Sequence, residues 1–398
     1  MEQTVLLVGI LIAFAVALAV TALMHPRVAK FAQKRNVVDN PNARKLQRNP
    51  VPVMGGVAVF FGLVSGLCVS GIFVNVNELL PVIVAMSVML CVGVIDDVSE
   101  LSPWLRFVIE IAVVLMLIFT THISLDSLQG LWGFYDLPLW LSAPLTVFAV
   151  VGMINAINLI DGVDGYSSGY CMMACTIFGV FFYIVNDMPM TLLAVSCVGA
   201  LIPFFLHNVF GLKSKMFIGD GGTLLMGCVM SVFVLNMLKS GSLGVNYRDL
   251  GFGLVPFSLA VLSVPVFDTV RVMMMRILRK TSPFHPDKTH LHHMFIELGF
   301  SHIGTTVSIL TFNSLVVLGW YISYKCGASI DLQLYVVIAL SLLVTVGFYY
   351  GMRFCGHKGC APYRLMQRLG AKTHVGRTGI FAWLQKILDS RYDTEIEN

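Results

Sequence analysis

The sequence predicts an all-α, polytopic membrane protein with about eleven transmembrane helices. Of its 398 residues, 57% are hydrophobic and only 12% are charged, and the mean hydropathy of +0.82 is too high for a soluble domain of this length. The third observation is a series of apolar stretches close to the roughly 20 residues that cross hydrocarbon. In chain order they cover residues 4–24, 54–73, 79–95, 104–121, 137–157, 166–185, 190–207, 221–238, 251–273, 305–324 and 332–351.

The distribution of Lys and Arg predicts the orientation. Basic residues stay on the cytoplasmic side of short loops, so an N-terminus outside makes the loops after odd-numbered helices cytoplasmic. Lys239, Arg248 and Lys325 are then the only basic residues, out of 26, on the outer side. The C-terminus is predicted to be cytoplasmic. Residues 1–351 are expected to form the membrane domain with its functional loops in the cytoplasm, and residues 352–398 a basic cytoplasmic tail with one or two interfacial helices.

Charge and cysteine content narrow the classes of partner. The formal net charge of +4 falls almost entirely on the predicted cytoplasmic face, where it is first a topology signal. Secondly, it attracts the anionic head groups of a lipid bilayer or a phosphorylated substrate. No feature supports nucleic-acid binding. The nine cysteines lie mostly within apolar stretches, so we expect packed thiols rather than a disulfide framework.

Five aspartates stand where apolar stretches end, namely Asp96, Asp97, Asp161, Asp164 and Asp220. An ionised carboxylate at the centre of a bilayer costs roughly 2.5 to 3.5 kcal/mol, so several on one side imply a divalent metal or a charged substrate. The topology places all five on the cytoplasmic face. Asp96 and Asp97 repel each other unless a cation neutralises the pair or one is protonated; the alternative is a polar stop at a helix end.

The segment from Asn155 to Gly165 is the most specific motif. Asn158, Asp161 and Asp164 recur every three residues, so they share a face if the helix continues, and the glycines allow a re-entrant backbone. Amide and carboxylate oxygens suit Mg²⁺, which takes one or two protein ligands and completes its shell with water and phosphate oxygens. An Asx-rich turn between helices is the alternative.

Asp220 stands within a glycine run at the start of the eighth stretch. Free N–H groups at a helix N-terminus bind anions, and glycines such as Gly219 allow a phosphate to approach the backbone closely. The alternative is that Asp220 is an N-cap. The two interpretations are compatible, but an N-cap alone does not explain three glycines.

Residues 283–293 combine four histidines with an acid and a lysine. Zinc is one interpretation, but cysteine and a His-Glu-x-x-His pattern are absent from the segment. Imidazoles beside a lysine also donate hydrogen bonds to a diphosphate, which we favour. The candidate ligands are Lys288, His290, His292 and His293. In the first cytoplasmic loop, Arg44 and Lys45 are topology signals and candidates for binding a lipid phosphate.

Taken together, the motifs from about Asp39 to His293 resemble those of the polyprenyl-phosphate N-acetylhexosamine-1-phosphate transferase superfamily, glycosyltransferase family 4. The His-Leu-His-His form at 290–293, preceded by Ser282-Pro283-Phe284, is more similar to the branch that uses UDP-N-acetylglucosamine (UDP-GlcNAc) than to the muramoyl-pentapeptide branch. One departure is Gln47, where the family often has a histidine.

The resemblance implies Mg²⁺-dependent transfer of a sugar 1-phosphate from a UDP-N-acetylhexosamine to undecaprenyl phosphate. This reaction releases UMP and initiates a cell-envelope glycan at the cytoplasmic face of a bacterial inner membrane. The resemblance also implies that Asn158 and Asp220 hold the Mg²⁺ ion, for which Mn²⁺ could substitute. Asp96 and Asp97 would orient or deprotonate the acceptor phosphate or hold the metal's water shell, and Asp161 and Asp164 would contact the nucleotide or brace the loop. The expected substrate-binding residues are Arg44, Lys45, Gly219, Lys288, His290, His292 and His293.

Several alternatives remain open at this point. The donor could be another UDP-N-acetylhexosamine or UDP-MurNAc-pentapeptide, and the protein could form a homodimer. A polyprenyl-lipid transporter or flippase also carries intramembrane acids, although here the acids gather at one predicted surface rather than at mid-membrane. A non-catalytic lipid-binding scaffold would give no reason for both the Asp96-Asp97 pair and the Asp220 glycine run.

Overall fold

A computed structural model describes residues 2–40, 49–239, 251–282, 287–374 and 378–394 of the chain. Its helices are α1 (Glu2–Lys34), α2 (Gly55–Ser70), α3 (Leu80–Ser99), α4 (Pro103–Thr121), α5 (Leu139–Leu159), α6 (Tyr166–Ile184), α7 (Met188–Phe210), α8 (Gly219–Leu238), α9 (Leu254–Val261), α10 (Ser263–Leu278), α11 (Leu291–Glu297), α12 (His302–Lys325), α13 (Ile330–Leu342), α14 (Phe348–Lys358), α15 (Ala361–Lys372) and α16 (Ile380–Thr394). Two short antiparallel strands, β1 (Val38–Asp39) and β2 (Val51–Pro52), pair between α1 and α2.

The helices confirm an all-helical, polytopic membrane protein. Within the described residues, nine helical segments are long and apolar enough to cross a bilayer, and α9 with α10, bent by 74°, makes a tenth candidate. The second predicted stretch forms α2, which has 16 residues. Each of the eleven predicted stretches is therefore helical, but the count of eleven spans is not confirmed. The orientation of the termini stays a prediction.

The chain divides into two compact units. The first comprises Met1–Ile123, Ala149–Phe233 and Gly376–Asn398, and the second comprises Ser124–Phe148 and Val234–Val375. The predicted boundary between a membrane domain ending at 351 and a tail from 352 stays a prediction, and α14 continues across that position to Lys358. The tail does form two helices, of which α15 belongs to the second unit and α16 to the first.

Small residues hold the first unit together. A Cβ added at Gly62 of α2 would lie 2.7 Å from the carbonyl oxygen of Ala17 in α1, and one at Gly66 would lie 2.7 Å from that of Ala13. In α7, a Cβ at Gly199 would lie 2.6 Å from the carbonyl oxygen of Phe14. Glycines therefore bring α2 and α7 into backbone contact with α1, as small residues do where lipid offers no hydrophobic drive for association.

The same device positions the N-terminus of α8. A Cβ on Gly56 of α2 would lie 2.3 Å from the backbone nitrogen of Gly222, and one on Gly93 of α3 would lie 2.3 Å from that of Gly221. Both obstructing atoms belong to the backbone, so no side chain could move aside. Gly56 and Gly93 thus permit close packing of α2 and α3 against the N-terminus of α8.

In the second unit, a buried asparagine satisfies the broken backbone between α9 and α10. Asn313 of α12 donates from Nδ2 to the carbonyl oxygen of Val261 over 2.9 Å, and its Oδ1 accepts from the backbone nitrogen of Val264 over 3.0 Å. Non-helical backbone at membrane depth requires such internal partners because lipid supplies none. Asn313 therefore stabilises the bend at Leu262.

Candidate active site

The carboxylate of Asp97 binds the N-terminus of α8. Its Oδ1 accepts from the backbone nitrogen of Asp220 over 3.0 Å, and its Oδ2 accepts from that of Gly221 over 3.3 Å. Gly219 has a φ of +71°, and a Cβ there would lie 2.4 Å from Asp97 Oδ2. Glycine is needed at 219 for both reasons. Asp220 lies in the first turn of α8 rather than at the N-cap.

The sequence predicts that the N-terminus of α8 binds a phosphate, but two of its N–H groups bind a carboxylate of the protein instead. The N–H groups of Asp220 and Gly221 donate to the carboxylate of Asp97 from α3 and are therefore not available to an external phosphate. A Cβ at Gly221 would lie 2.9 Å from Val94 Cγ2 of α3, and one at Gly222 would lie 2.9 Å from Gly56 Cα of α2, so helix packing explains both glycines. Binding of substrate by Gly219 stays a prediction.

Asn158 and Asp220, the two residues predicted to bind one metal ion, lie side by side. Asn158 Nδ2 donates to Asp220 Oδ1 and to Thr223 Oγ1, each over 2.8 Å. The amide nitrogen is thereby fixed and Asn158 Oδ1 remains the acceptor. The side chain of Asp220 is 37% exposed. Amide and carboxylate oxygens in reach of solvent fit a hard divalent cation such as Mg²⁺.

Arg106 of α4 is a central residue that the sequence analysis did not select. Its Nη1 lies 3.1 Å from Asp96 Oδ2 and 3.6 Å from Asp220 Oδ2, and its Nη2 donates to Asn155 Oδ1 over 3.3 Å. A charged residue inside the predicted 104–121 span was the available signal, since ionisable groups in apolar stretches are functional candidates by default.

Glu110, one turn further along α4, is the second omission. It is fully buried, its Oε1 lies 3.6 Å from Arg106 Nε, and its Oε2 accepts from Asn155 Nδ2 over 2.8 Å. Glu110 and Asn155 therefore hold the Arg106 guanidinium in place. We call the set around it the acid cluster, comprising Asp96, Asp97, Arg106, Glu110, Asn155, Asn158 and Asp220.

The two adjacent aspartates have separate partners. Asp96 pairs with Arg106 and also accepts from the backbone nitrogen of Leu101 over 2.7 Å, whereas Asp97 binds α8. The expected repulsion between the adjacent acids is reduced by these different partners, because Asp96 faces a guanidinium and Asp97 faces backbone N–H groups.

Asp161 and Asp164 occupy the turn between α5 and α6. Asp161 Oδ1 accepts from Ser167 Oγ over 2.5 Å, and Asp164 Oδ2 lies 2.6 Å from Lys215 Nζ. Although Asp161 keeps accessible surface, the surrounding protein desolvates its carboxyl group. This raises the pKa of Asp161 to about 7, a shift that the Ser167 hydrogen bond opposes and the charge of Asp220 reinforces.

The histidines lie in the second unit, around a buried aspartate of α10. Asp268 Oδ1 lies 2.6 Å from Arg271 Nη2, and its Oδ2 lies 3.0 Å from His290 Nδ1. The backbone nitrogen of Leu291 donates to the same carboxylate over 3.1 Å. Among the described residues, the buried Nε2 of His290 has no hydrogen-bond partner. We call Asp268, Arg271 and His290 the Asp268 network.

Asp287, His292 and His293, which neighbour the Asp268 network, have pKa values below their ordinary ones. Desolvation alone would raise the pKa of Asp287, but hydrogen bonds from Arg276 and Thr289 outweigh it and lower this pKa to about 2. Burial lowers the pKa of His292 well below its usual value and, aided by the charges of His290 and Lys288, lowers that of His293 to about 4. Both rings are therefore neutral at pH 7.

The remaining predicted ligands are less well defined. Lys288 is exposed, and Arg44 and Lys45 lie outside the described residues. In the described part of the chain, no group of three or more His, Cys, Asp or Glu side chains is arranged to hold a metal ion.

The fold and the acid cluster define a polytopic membrane protein with a carboxylate-rich polar site. The family model of glycosyl transferase family 4 matches residues 79–238. A probable undecaprenyl-phosphate N-acetylglucosaminyl 1-phosphate transferase of Bacillus subtilis is 30% identical over 346 residues, covering 85% of this chain and 91% of that protein. The undecaprenyl-phosphate alpha-N-acetylglucosaminyl 1-phosphate transferase of Escherichia coli K12 is 26% identical over 88% of this chain and 92% of its own length. The one from Yersinia pestis is 28% identical over 68% and 73%.

The chain belongs to glycosyl transferase family 4 and is a phosphotransferase. The family model covers the acid cluster, Asp161, Asp164, Lys215 and Gly219. The resemblance stated from the motifs is thereby confirmed.

Proposed function

We propose that this enzyme transfers N-acetylglucosamine 1-phosphate from UDP-GlcNAc to undecaprenyl phosphate, releases UMP and initiates a cell-envelope glycan. The observation that carries the proposal is the acid cluster, in which Asn158 and Asp220 lie within 2.8 Å of each other at the solvent-accessible start of α8. The names of the relatives supply the donor sugar and the acceptor lipid.

The reaction needs charge neutralisation more than proton transfer. An anionic oxygen of the lipid phosphate attacks the β-phosphorus of UDP-GlcNAc, a new P–O bond forms, and the bond from that phosphorus to the bridging oxygen breaks as UMP leaves. Both reactants are anions, and each unit-charge pair at 4 Å is worth roughly 4 kcal/mol at an effective dielectric of 20. Groups that offset this repulsion therefore dominate the rate.

Asn158 and Asp220 would hold Mg²⁺, for which their oxygen donors fit, and Mn²⁺ would substitute. When bound, the ion supplies Lewis-acid neutralisation of the donor diphosphate. Arg106 contacts both Asp96 and Asp220 and so orients the carboxylate of Asp220. Asp97 holds α8 in register, so that Asp220 faces Asn158. Asp96 and Asp97 would thus orient the site, and an additional contact of either with the acceptor phosphate is part of the proposal.

The other assignments follow the same chemistry. Asp161 and Asp164 would shape the nucleotide pocket, with Asp164 held by Lys215. The other expected substrate ligands are Arg44, Lys45, Gly219, Lys288, His290, His292 and His293. The neutral imidazoles of His292 and His293 can each donate one hydrogen bond to phosphate or sugar oxygens. The site would face the cytoplasm from a bacterial inner membrane, because the basic loops lie on that side of the predicted topology.

The test is UMP release by the purified protein in lipid nanodiscs. We expect UMP with UDP-GlcNAc, undecaprenyl phosphate and Mg²⁺ together, and loss of UMP when any one is omitted or when EDTA is added. UDP-N-acetylgalactosamine and UDP-MurNAc-pentapeptide serve as competing donors. Faster turnover of either would overturn the donor assignment. Lipid movement across vesicles without UMP release would overturn the reaction in favour of a transporter.

A further inference from the structure

We propose that Asp389, in the C-terminal helix α16, is a positioning residue of the active site. It holds the backbone of the loop at residues 211–218, which carries Lys215 and leads directly into Asp220. We call this segment the α7–α8 loop. The inference rests on the proposed function, because Lys215 and Asp220 are assigned to that site.

The carboxylate of Asp389 collects successive backbone donors. Its Oδ1 accepts from the nitrogens of Leu212 over 3.2 Å and of Lys213 and Ser214 over 3.1 Å each, and from Ser214 Oγ over 2.9 Å. The residue is only 9% exposed. Consecutive N–H groups that converge on an anion form a strong binding concavity. The loop therefore depends on a side chain 175 residues away in sequence.

The loop connects these donors to the acid cluster over a few residues. Lys215 forms its ion pair with Asp164 directly after the segment that Asp389 binds. The carbonyl oxygen of Met216 then accepts from Asn208 Nδ2 over 3.0 Å, and the nitrogen of Phe217 donates to the carbonyl oxygen of Pro52 over 2.8 Å. Asp389 fixes the start of the loop and β2 fixes its end, so Lys215 is held between two anchors.

Separate contacts fix α16 itself. Tyr392 packs in a cluster with Val28, Ala29, Ala58 and Met216, and its hydroxyl donates to Gln33 Oε1. At the other end of α16, the Phe381 ring lies 5.5 Å from that of Phe210. These contacts hold Asp389 against the loop. Loss of the Asp389 carboxylate would remove the acceptor that the N–H groups of residues 212–214 share and allow Lys215 and Asp220 to shift.

The first experiment compares Asp389→Ala and Asp389→Asn with wild type, and exposed Lys386→Ala in the same helix serves as control. A displacement of about 1 Å at a reacting site lowers turnover by up to about 100-fold, so we expect kcat for UMP release to fall about 10- to 100-fold in Asp389→Ala. KM for undecaprenyl phosphate should stay unchanged. Because an amide oxygen can still accept from the loop, Asp389→Asn should recover most of the rate, to within about fivefold of wild type.

Two further readouts separate positioning from stability. Amide hydrogen exchange at 212–214 should accelerate in Asp389→Ala and remain slow in Lys386→Ala. In a double-mutant cycle, Asp389→Ala and Lys215→Ala should be non-additive in kcat, because both act through the same loop. Normal kcat per folded molecule in Asp389→Ala, even with a lower melting temperature, would overturn the proposal. So would unchanged exchange at 212–214.

The outcomes distinguish this inference from the proposed function. If wild-type protein released no UMP from any donor, the proposed function would fail, and the exchange measurement would still decide whether Asp389 restrains the loop. If wild type released UMP and both Asp389 variants matched it, only the positioning role would fail. Should Asp389→Ala not fold, Asp389→Asn decides the exchange test, because one amide oxygen replaces two carboxylate oxygens. Exchange at 212–214 should then be faster than in wild type, and unchanged exchange would overturn the proposal.

Discussion

The acid cluster of the first unit and the Asp268 network of the second unit are both built around carboxylates, but their charges balance differently. In the acid cluster, Arg106 faces the carboxylates of Asp96, Glu110 and Asp220, and Asp97 is bound by backbone N–H groups next to them. In the Asp268 network, a single carboxylate faces the guanidinium of Arg271 and the imidazole of His290.

The difference in charge balance indicates that the acid cluster needs an external cation and that the Asp268 network does not. A carboxylate excess near a membrane is stabilised by an external cation, and the exposed fraction of Asp220 makes one accessible. The Asp268 network is internally compensated, and the stacking of Arg271 on Tyr349, with 3.9 Å between guanidinium carbon and ring centroid, adds packing to the ion pair. We therefore expect the acid cluster to govern turnover and the Asp268 network to govern folding of its unit.

The largest expected effect tests the acid cluster. Asp220→Ala should lower UMP release about 10²- to 10³-fold, because Asp220 would hold the cation that offsets the charge of the reactants and loss of one such stabilising group has effects of this size. The measurement is UMP release per folded molecule in nanodiscs, with exposed Glu78→Gln as the matched acid control.

Folding should be affected little by that change. Removing a carboxylate from a region with excess negative charge relieves repulsion, so the melting temperature of Asp220→Ala should equal or exceed that of wild type. Retained turnover would contradict the metal assignment. Unfolding of the variant would contradict the view that the acid cluster serves turnover rather than folding.

The second prediction concerns the compensated network. Asp268→Ala leaves the buried Arg271 guanidinium without its carboxylate, which should lower the free energy of unfolding by about 3 to 5 kcal/mol. Thermal unfolding in detergent measures it. Glu297→Gln removes a largely exposed pair with Arg353 and should change the free energy of unfolding by less than about 1 kcal/mol. Equal stability of the two variants would show that Asp268 is not structural.

The third prediction concerns the cation within the acid cluster. Lysine at 106 keeps the charge but not the planar fork that reaches Asp96 and Asn155 together. We expect Arg106→Lys to lower turnover about tenfold and Arg106→Gln about 100-fold, the range for losing hydrogen bonds to charged groups. Exposed Arg35→Lys is the control. If Arg106→Lys and Arg106→Gln both turned over at the wild-type rate, the guanidinium would have no role beyond packing.

Arg106 also shows why part of the site could not be predicted from sequence. The five aspartates were identifiable because each interrupts an apolar stretch, whatever its partner. Arg106 and Glu110 lie within the stretch 104–121, whose average hydropathy remains high, so the two charged residues did not stand out. Proximity of Asn158 to Asp220 followed from loop parity, since two loops on one face can meet.

Partners that depend on packing were beyond the sequence. The glycines around Asp220 suit both a phosphate and a neighbouring helix, and only three-dimensional placement shows Gly56 against Gly222. The amphipathic pattern of α16 is equally compatible with a membrane surface and with a protein surface. Its contact with the α7–α8 loop depends on Asp389 and Tyr392, which carry no local signal for that partner.

The last prediction uses pH to act on the two units in opposite directions. The pKa of His293, about 4, is below its ordinary 6.5, so its contribution to stability is present above pH 6.5 and is lost as pH falls through 4. The pKa of Asp161, about 7, is above its ordinary 3.8, so its contribution is present below pH 3.8 and is lost as pH rises through 7. Acidification from pH 7 to 4 therefore destabilises the surroundings of His293 and stabilises those of Asp161.

Melting temperatures of variants between pH 4 and 7.5 separate these contributions. The His293 shift corresponds to at most about 3 kcal/mol, and solvent at the half-buried ring reduces this to about 1 kcal/mol. His293→Gln should therefore flatten the loss of stability on acidification, whereas Asp161→Asn should steepen it, because the compensating gain is removed. If both variants changed the slope in the same direction, the opposite titration of Asp161 in the first unit and His293 in the second unit would be wrong.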